Sequence, residues 1–174
     1  AFDILASQPL ADDALTQIDM IRLLAQAAGS RGMAGGQAID LASVGKSLTL
    51  PELEFMHIHK TGALIRAAVS LGAHCGPASE EHLVKLDHFG KLIGLAFQVV
   101  DDVLDATEDA QRLGKTAGKD EAARKATYVS VHGLDEARAL AAALRQEALD
   151  AVAPLGPRGE LLAAIARLIV DRHS

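Results

Sequence analysis

No tryptophan occurs in the 174 residues, and the chain has one tyrosine, four phenylalanines and one cysteine. With 3% aromatics and a net charge of −6, it lacks both the stacking side chains and the basic face of a nucleic-acid binder. A lone Cys75 excludes a disulfide framework and a cysteine-based zinc site. Long apolar runs are also missing. The stretch from Ile93 to Val100 is interrupted by Gly94 and Gln98 and is far too short to span a bilayer, so no membrane partner is expected. No cationic segment precedes an apolar one in the manner of a signal peptide, and a soluble, cytoplasmic protein is expected.

Apolar residues make up 49% of the chain, which excludes a disordered protein, and the length suits one domain over residues 1–174 without internal repeats. The opening Ala-Phe-Asp-Ile-Leu-Ala already reads as the end of a helical pattern. That leaves open whether the start was processed or belongs to a longer chain. Apolar residues recur at helical spacing almost throughout, which predicts an all-α fold.

After a break at Ser7-Gln8-Pro9, a helix is predicted over Asp12 to Ala28, with Leu15, Ile18, Ile21, Leu24 and Ala28 as its apolar stripe. A Gly-rich helix should cover Met33 to Ser43. Pro51 suits the first turn of the next helix, which runs to about Cys75, and Ser79 suits the N-cap of a long helix over Glu80 to Thr107. Glu108 to Arg124 reads as a charged loop. A short segment near Tyr128 to Val131, a surface helix over Leu134 to Val152 and a last helix ending near Val170 complete the chain.

The long helix carries the clearest chemistry, Ile93-Gly-Leu-Ala-Phe-Gln-Val-Val-Asp-Asp-Val-Leu-Asp105. At about 100° per residue, Asp101, Asp102 and Asp105 fall within one arc that includes Gln98. Gly90 and Gly94 extend this stripe and would leave an open channel beside the helix. Leu86, Phe89, Leu92, Ile93, Ala96, Val100, Val103 and Leu104 lie on the other side and can pack. Three carboxylates this close repel unless a cation sits among them, and oxygen-only ligands suit Mg²⁺. A solvated acidic patch is the plainer alternative. Against it, the acids sit beside apolar Phe97, Val99 and Val100 and close a long buried pattern.

A second segment, His57-Ile-His-Lys-Thr-Gly-Ala-Leu-Ile-Arg66, places Lys60 in a helix over Leu53 to Leu71 that is apolar nearly all round, as buried helices are. An ammonium there needs an anionic partner. It either reaches the surface or pairs with a structural carboxylate, or, with Thr61 and the small Gly62 beside it, forms an anion pocket. His57 and His59 are expected to pack or cap rather than bind metal. In Gly32-Met-Ala-Gly-Gly-Gln-Ala-Ile-Asp40, Gln37 and Asp40 share a helical face. The glycines of that helix imply either ligand approach or close helix packing. Arg112, Lys115, Lys119, Arg124 and Lys125 follow the acids. Gly114-Lys115-Thr116 lacks the leading glycine and the strand of a Walker A loop, so a solvated charge run is the default, although a polyphosphate would suit a basic loop there.

Taken in order, Gly35-Gly36-Gln37-Ala-Ile-Asp40, His59-Lys60-Thr61-Gly62-Ala-Leu64, Gly94-Leu-Ala-Phe97-Gln98-Val-Val-Asp101-Asp102-Val-Leu-Asp105, and Leu113-Gly114-Lys115 with Asp120 and Lys125-Ala-Thr127 resemble the trans-prenyltransferases. The likeness is greatest to bacterial farnesyl diphosphate synthases of the geranyltranstransferase type. The resemblance implies an all-α helical bundle of the isoprenoid synthase type. It implies that Asp101, Asp102 and Asp105 hold Mg²⁺ on an allylic diphosphate, and that Lys60, Lys115 and Lys125 contact that diphosphate. Thr61 and Gln98 would point oxygens at the carbocation, and Gln37 and Asp40 would line the same cavity. It further implies isopentenyl diphosphate as co-substrate and a homodimer.

The chain departs from the pattern in lacking a first DDxxD motif, its following arginines and the N-terminal residues that bind isopentenyl diphosphate. The basic C-terminal tail is reduced to Arg172-His173-Ser174. The chain therefore reads as the C-terminal portion of such an enzyme, expected to be inactive alone. The alternative is a non-catalytic prenyltransferase-like subunit. A di-iron bundle needs two Glu-x-x-His motifs, and only Glu54-Phe-Met-His57 is present. A terpene cyclase would carry more aromatics to shield its cations.

Overall fold

The computed structural model describes residues 1–46, 48–113 and 127–172, with 109–113 as backbone alone. Among the described residues every regular element is helical: α1 (Phe2–Ser7), α2 (Ala14–Ala28), α3 (Met33–Ala42), α4 (Leu50–His57), α5 (Ala63–His74), α6 (Glu80–Leu113), α7 (Tyr128–His132), α8 (Leu134–Val152) and α9 (Glu160–Asp171). A π-helical turn, Ile58–Gly62, joins α4 to α5 without a break, and a 3₁₀ segment, Ala153–Gly159, joins α8 to α9.

The helix starts follow from their caps. Asp13 accepts hydrogen bonds from the amides of Leu15 and Thr16 at 2.8 and 2.9 Å and begins α2. Glu52 reaches back to the Thr49 amide at 2.8 Å, with Pro51 in the first turn of α4. Ser79 caps α6 through the His82 amide at 3.2 Å, as its position in the sequence suggests.

The core forms where α6 packs against α5, α8 and α9, with α4 and α7 closing one end. Phe89, Ile93, Ala96, Val99 and Val100 of α6 meet Leu53 and Met56 of α4, Tyr128 of α7, Ala141, Leu144, Ala148 and Val152 of α8, and Ala166 of α9. Burying each large side chain of this set contributes roughly 1.5–3 kcal/mol, which fixes the long helix as the rigid axis of the site.

Four expectations change. First, α6 continues to Leu113 rather than stopping at Thr107, because charge does not break a helix and Ala110, Gln111, Arg112 and Leu113 are good helix formers. Second, the apolar stripe of α2 does not face inward as a whole. Leu15 and Ile18 are exposed, while Met20 and Ala27 are buried on the side toward α5. Third, the rod made of α4, the π-turn and α5 is not buried all round: Leu53, Met56 and Ala67 are inside, whereas Phe55 and Ile58 are about half exposed.

Finally, no channel runs beside Gly90 and Gly94. A Cβ on Gly94 would lie 2.8 Å from the Cα of Gly62, and one on Gly90 would lie 2.9 Å from the Cα of Arg66. These glycines let two helices touch backbone to backbone. The same holds for Gly36, where a Cβ would sit 2.1 Å from the Lys60 amide nitrogen. Close helix packing is therefore the reason for the small residues on both α3 and α6.

Candidate active site

The π-turn carries His59, Lys60 and Thr61, and it is gripped from two sides. Gly36 of α3 abuts Lys60, and Gly94 of α6 abuts Gly62. A π-turn holds one more residue per hydrogen-bonded ring than the α-helix and recurs at functional sites. Here it projects two polar side chains toward different neighbours. Lys60 Nζ donates to Asp40 Oδ2 at 2.5 Å, with 27% and 13% of the two side chains exposed. Thr61 Oγ1 donates to Gln98 Oε1 at 3.2 Å.

From Gln98 the polar chain continues. Its amide nitrogen lies 3.4 Å from Asp102 Oδ1, and the other oxygen of Asp102 accepts the Tyr128 amide at 2.8 Å. The segment bearing Lys60 and the acidic end of α6 are thus tied together by side chains. Since the Thr61 hydrogen points at Gln98, the lone pairs of Thr61 Oγ1 remain available to an electron-poor group. Lys60 keeps two further donor hydrogens beyond its bond to Asp40.

The three aspartates part company. Asp102 is buried and holds the start of α7, whereas Asp101 is half-buried and Asp105 is exposed. Among the described residues no three His, Cys, Asp or Glu side chains converge on one point as a closed metal site. Asp101 and Asp105, one helical turn apart, present oxygen donors alone. That set fits a hard divalent cation that keeps several waters. A positive group already lies against one of them: the Arg172 guanidinium is paired with Asp101. So a cation is accommodated at that carboxylate.

Of the residues singled out in the sequence, Lys60, Asp40, Thr61, Gln98 and Asp102 are brought into two linked hydrogen-bonded groups. Gln37 is exposed on α3 and does not join Asp40 at Lys60. Lys115 and Lys125, with the rest of 114–126, lie outside the described residues. His57 is buried with its ring 5.7 Å from that of Tyr128, and His59 lies tilted against the Phe55 ring, centroids 4.1 Å apart, and meets the Phe55 carbonyl at 2.7 Å. Both histidines pack or cap, as expected.

Two participants escape a reading of the sequence. Tyr128 is fully buried, and its hydroxyl has no hydrogen-bond partner among the described residues. Burial, reinforced by the negative charges of Glu54 and Asp102, pushes its phenol well above the ordinary value. Its being the sole tyrosine, placed at the first turn of a capped helix, was the available signal. Arg172 is the other. A cation just past the end of an apolar helix hints at an ion pair with another element, without saying which.

Comparison with known proteins accords with this geometry. The polyprenyl synthetase family profile matches residues 1–153. A protein of Bradyrhizobium diazoefficiens named "Probable farnesyl diphosphate synthase" is 48% identical over 169 residues, covering 95% of this chain and 50% of that protein. The chloroplastic geranylgeranyl pyrophosphate synthase of Catharanthus roseus is 46% identical over 153 residues, covering 87% of this chain and 43% of its own length. Among solved structures, a Helicobacter pylori geranyltransferase complexed with magnesium and isoprenyl diphosphate superposes with a TM-score of 0.74 at 34% identity. That superposition covers 98% of this chain and 55% of the other. The chain therefore spans about half the length of the relatives it matches. On the strength of a profile match over most of its length and of homologues at nearly half identity, the chain belongs to the polyprenyl synthetase family.

Proposed function

We propose that this chain is the C-terminal portion of a single all-helical prenyl diphosphate synthase domain. In the intact enzyme it would hold an allylic diphosphate and stabilise the cation left when the diphosphate departs. The assigned reaction is the geranyltranstransferase type, yielding farnesyl diphosphate. The allylic C–O bond breaks and its electron pair leaves with diphosphate. The double bond of isopentenyl diphosphate then supplies the electrons of the new C–C bond to the allylic carbon. A proton lost from the adjacent carbon passes to the released diphosphate.

Lys60 neutralises diphosphate charge while Asp40 fixes its reach, and Lys115 and Lys125 are assigned to the same anion. Gln37 and Asp40 are assigned to the wall of the substrate cavity, with Gln37, exposed on α3, standing apart from the Lys60–Asp40 pair. Thr61 and Gln98 face the developing carbocation with oxygen lone pairs, an electrostatic contribution that requires no covalent bond to protein. Asp101 and Asp105 would hold Mg²⁺, with Asp102 anchoring that end of α6 from behind. When bound there, Mg²⁺ neutralises charge on the leaving group. An intact enzyme of this kind would work as a cytoplasmic homodimer.

The observation that carries this reading is the continuous side-chain link Thr61–Gln98–Asp102, which couples the lysine-bearing π-turn to the acidic turn of α6. The test is turnover of geranyl diphosphate with labelled isopentenyl diphosphate and Mg²⁺, with products separated by chain length. The 174-residue chain alone is expected to be inactive, and a parent chain with a second acidic motif to be active. In that parent, Lys60→Gln and Asp101→Asn should each lower kcat by about a hundredfold or more, the scale of losing one preorganised charge. Unchanged turnover in both variants refutes the assignment.

A further inference from the structure

Arg172 stands immediately after α9, where the backbone turns extended, and its side chain folds back across α6. Its guanidinium carbon lies 4.4 Å from the centroid of the Phe97 ring. One terminal nitrogen donates both to the Phe97 carbonyl at 3.3 Å and to Asp101 Oδ1. Its Nε is buried without a hydrogen-bond partner among the described residues. An arginine that merely decorates a surface carboxylate has no need of a ring beneath it or a carbonyl beside it. These contacts hold a planar, weakly hydrated cation in one orientation. The side chain is only 28% exposed, and Asp101 is 36% exposed.

We propose that Arg172 is the resident counter-ion of Asp101, which a divalent cation must displace before that carboxylate can act as its ligand. The inference rests on the reading of Asp101 and Asp105 as metal ligands and adds to it a tethered competitor. A guanidinium and a divalent ion cannot share Asp101 Oδ1. Where both approach, like charges repel across a partly desolvated surface. Loading therefore requires Arg172 to leave the Phe97 face.

Mn²⁺ provides the probe, its free concentration read by electron paramagnetic resonance in titrations of the full chain without substrate. Arg172→Gln should tighten Mn²⁺ binding by about three- to tenfold, the range for losing a partly buried, charge-assisted competitor. Arg172→Lys, which keeps the charge but loses the planar stack, should fall between wild type and Arg172→Gln. Asp101→Asn should weaken binding and abolish the effect of Arg172→Gln. Circular dichroism of each variant establishes that it is folded.

If Arg172→Gln binds Mn²⁺ no more tightly than wild type, or more weakly, while Asp101→Asn weakens binding, the counter-ion role is overturned and the metal site stands. If neither wild type nor Arg172→Gln binds Mn²⁺, both fall together. The two failures are thereby distinguished.

Discussion

Replacing glycine with alanine at three helical positions should give three different results, because the space beside each differs. At Gly36 an added Cβ would lie 2.1 Å from the Lys60 nitrogen and 2.5 Å from its Cα, both backbone atoms that no rotamer change can move. Helix α3 must back away from the π-turn by about 1 Å, and a gap of that size forfeits up to about half of each dispersion contact across the seam. Overpacking of this kind costs about 1–3 kcal/mol and occasionally more. Alanine returns about 1 kcal/mol over glycine inside a helix. With the clash at the severe end, Gly36→Ala should lose about 2 kcal/mol net, lowering Tm by about 4–8 °C for a domain of this size.

At Gly94 the obstacle is the Gly62 Cα at 2.8 Å, a milder overlap, so the two effects nearly cancel and Gly94→Ala should stay within about 1 kcal/mol of wild type. At Gly72, in α5, nothing lies within 4 Å of the added carbon. Gly72→Ala should raise stability by about 0.5–1 kcal/mol through helix propensity and the stiffer unfolded chain. Thermal and urea unfolding followed at 222 nm rank the three. If Gly36→Ala proves as stable as Gly72→Ala, the glycines do not serve the helix contact.

Two further outcomes follow from buried polar groups. Tyr128 in the folded chain resists ionisation, whereas in the unfolded chain it titrates near the ordinary tyrosine value of about 10. Because the folded value is the higher, its contribution is constant below pH 10 and is lost as pH rises above it. Urea midpoints from pH 7 to 11 should fall more steeply for wild type than for Tyr128→Phe, which at pH 7 should differ by less than about 1 kcal/mol since its hydroxyl has no partner to lose among the described residues; parallel curves would contradict the burial argument. At the Lys60–Asp40 pair, Asp40→Ala takes from a partly buried ammonium the one carboxylate it meets among the described residues. It should cost about 1–2 kcal/mol, discounted from the fully buried case because 27% of the lysine side chain meets solvent. Lys60→Met with Asp40→Ala should recover part of that loss, and a double-mutant cycle by urea unfolding measures how much.

Legibility of the sequence depended on range. The apolar spacing of Phe89, Ile93, Ala96 and Val100 announces the buried face of α6, and the Ser79 and Pro51 signals locate helix starts, because these are matters of one or two turns. Thr61 and Gln98 could be suspected singly, but only the resemblance to a family put them in one place. Arg172 on Asp101 joins residues 71 apart, and Tyr128 on Asp102 joins residues 26 apart, beyond what any periodicity encodes. The glycines of α3 and α6 show the remaining ambiguity. A missing side chain looks the same in a sequence whether a ligand or another backbone takes its room, and here backbone takes it. In α2, Leu15 and Ile18 satisfy helical spacing yet face outward, since spacing identifies a stripe without naming its occupant.

The wide turn at Ile58–Gly62 acts as a phase shifter. Closing its rings over five residues instead of four inserts one position, worth about 100° of rotation, between what comes before and after. Leu53 and Met56 can thereby address one set of neighbours and Ala67 another, although a single unbroken rod carries all three. Removing one residue from the segment would bring the rod back into register, and Lys60 and Thr61 could no longer look toward Asp40 and Gln98 at the same time.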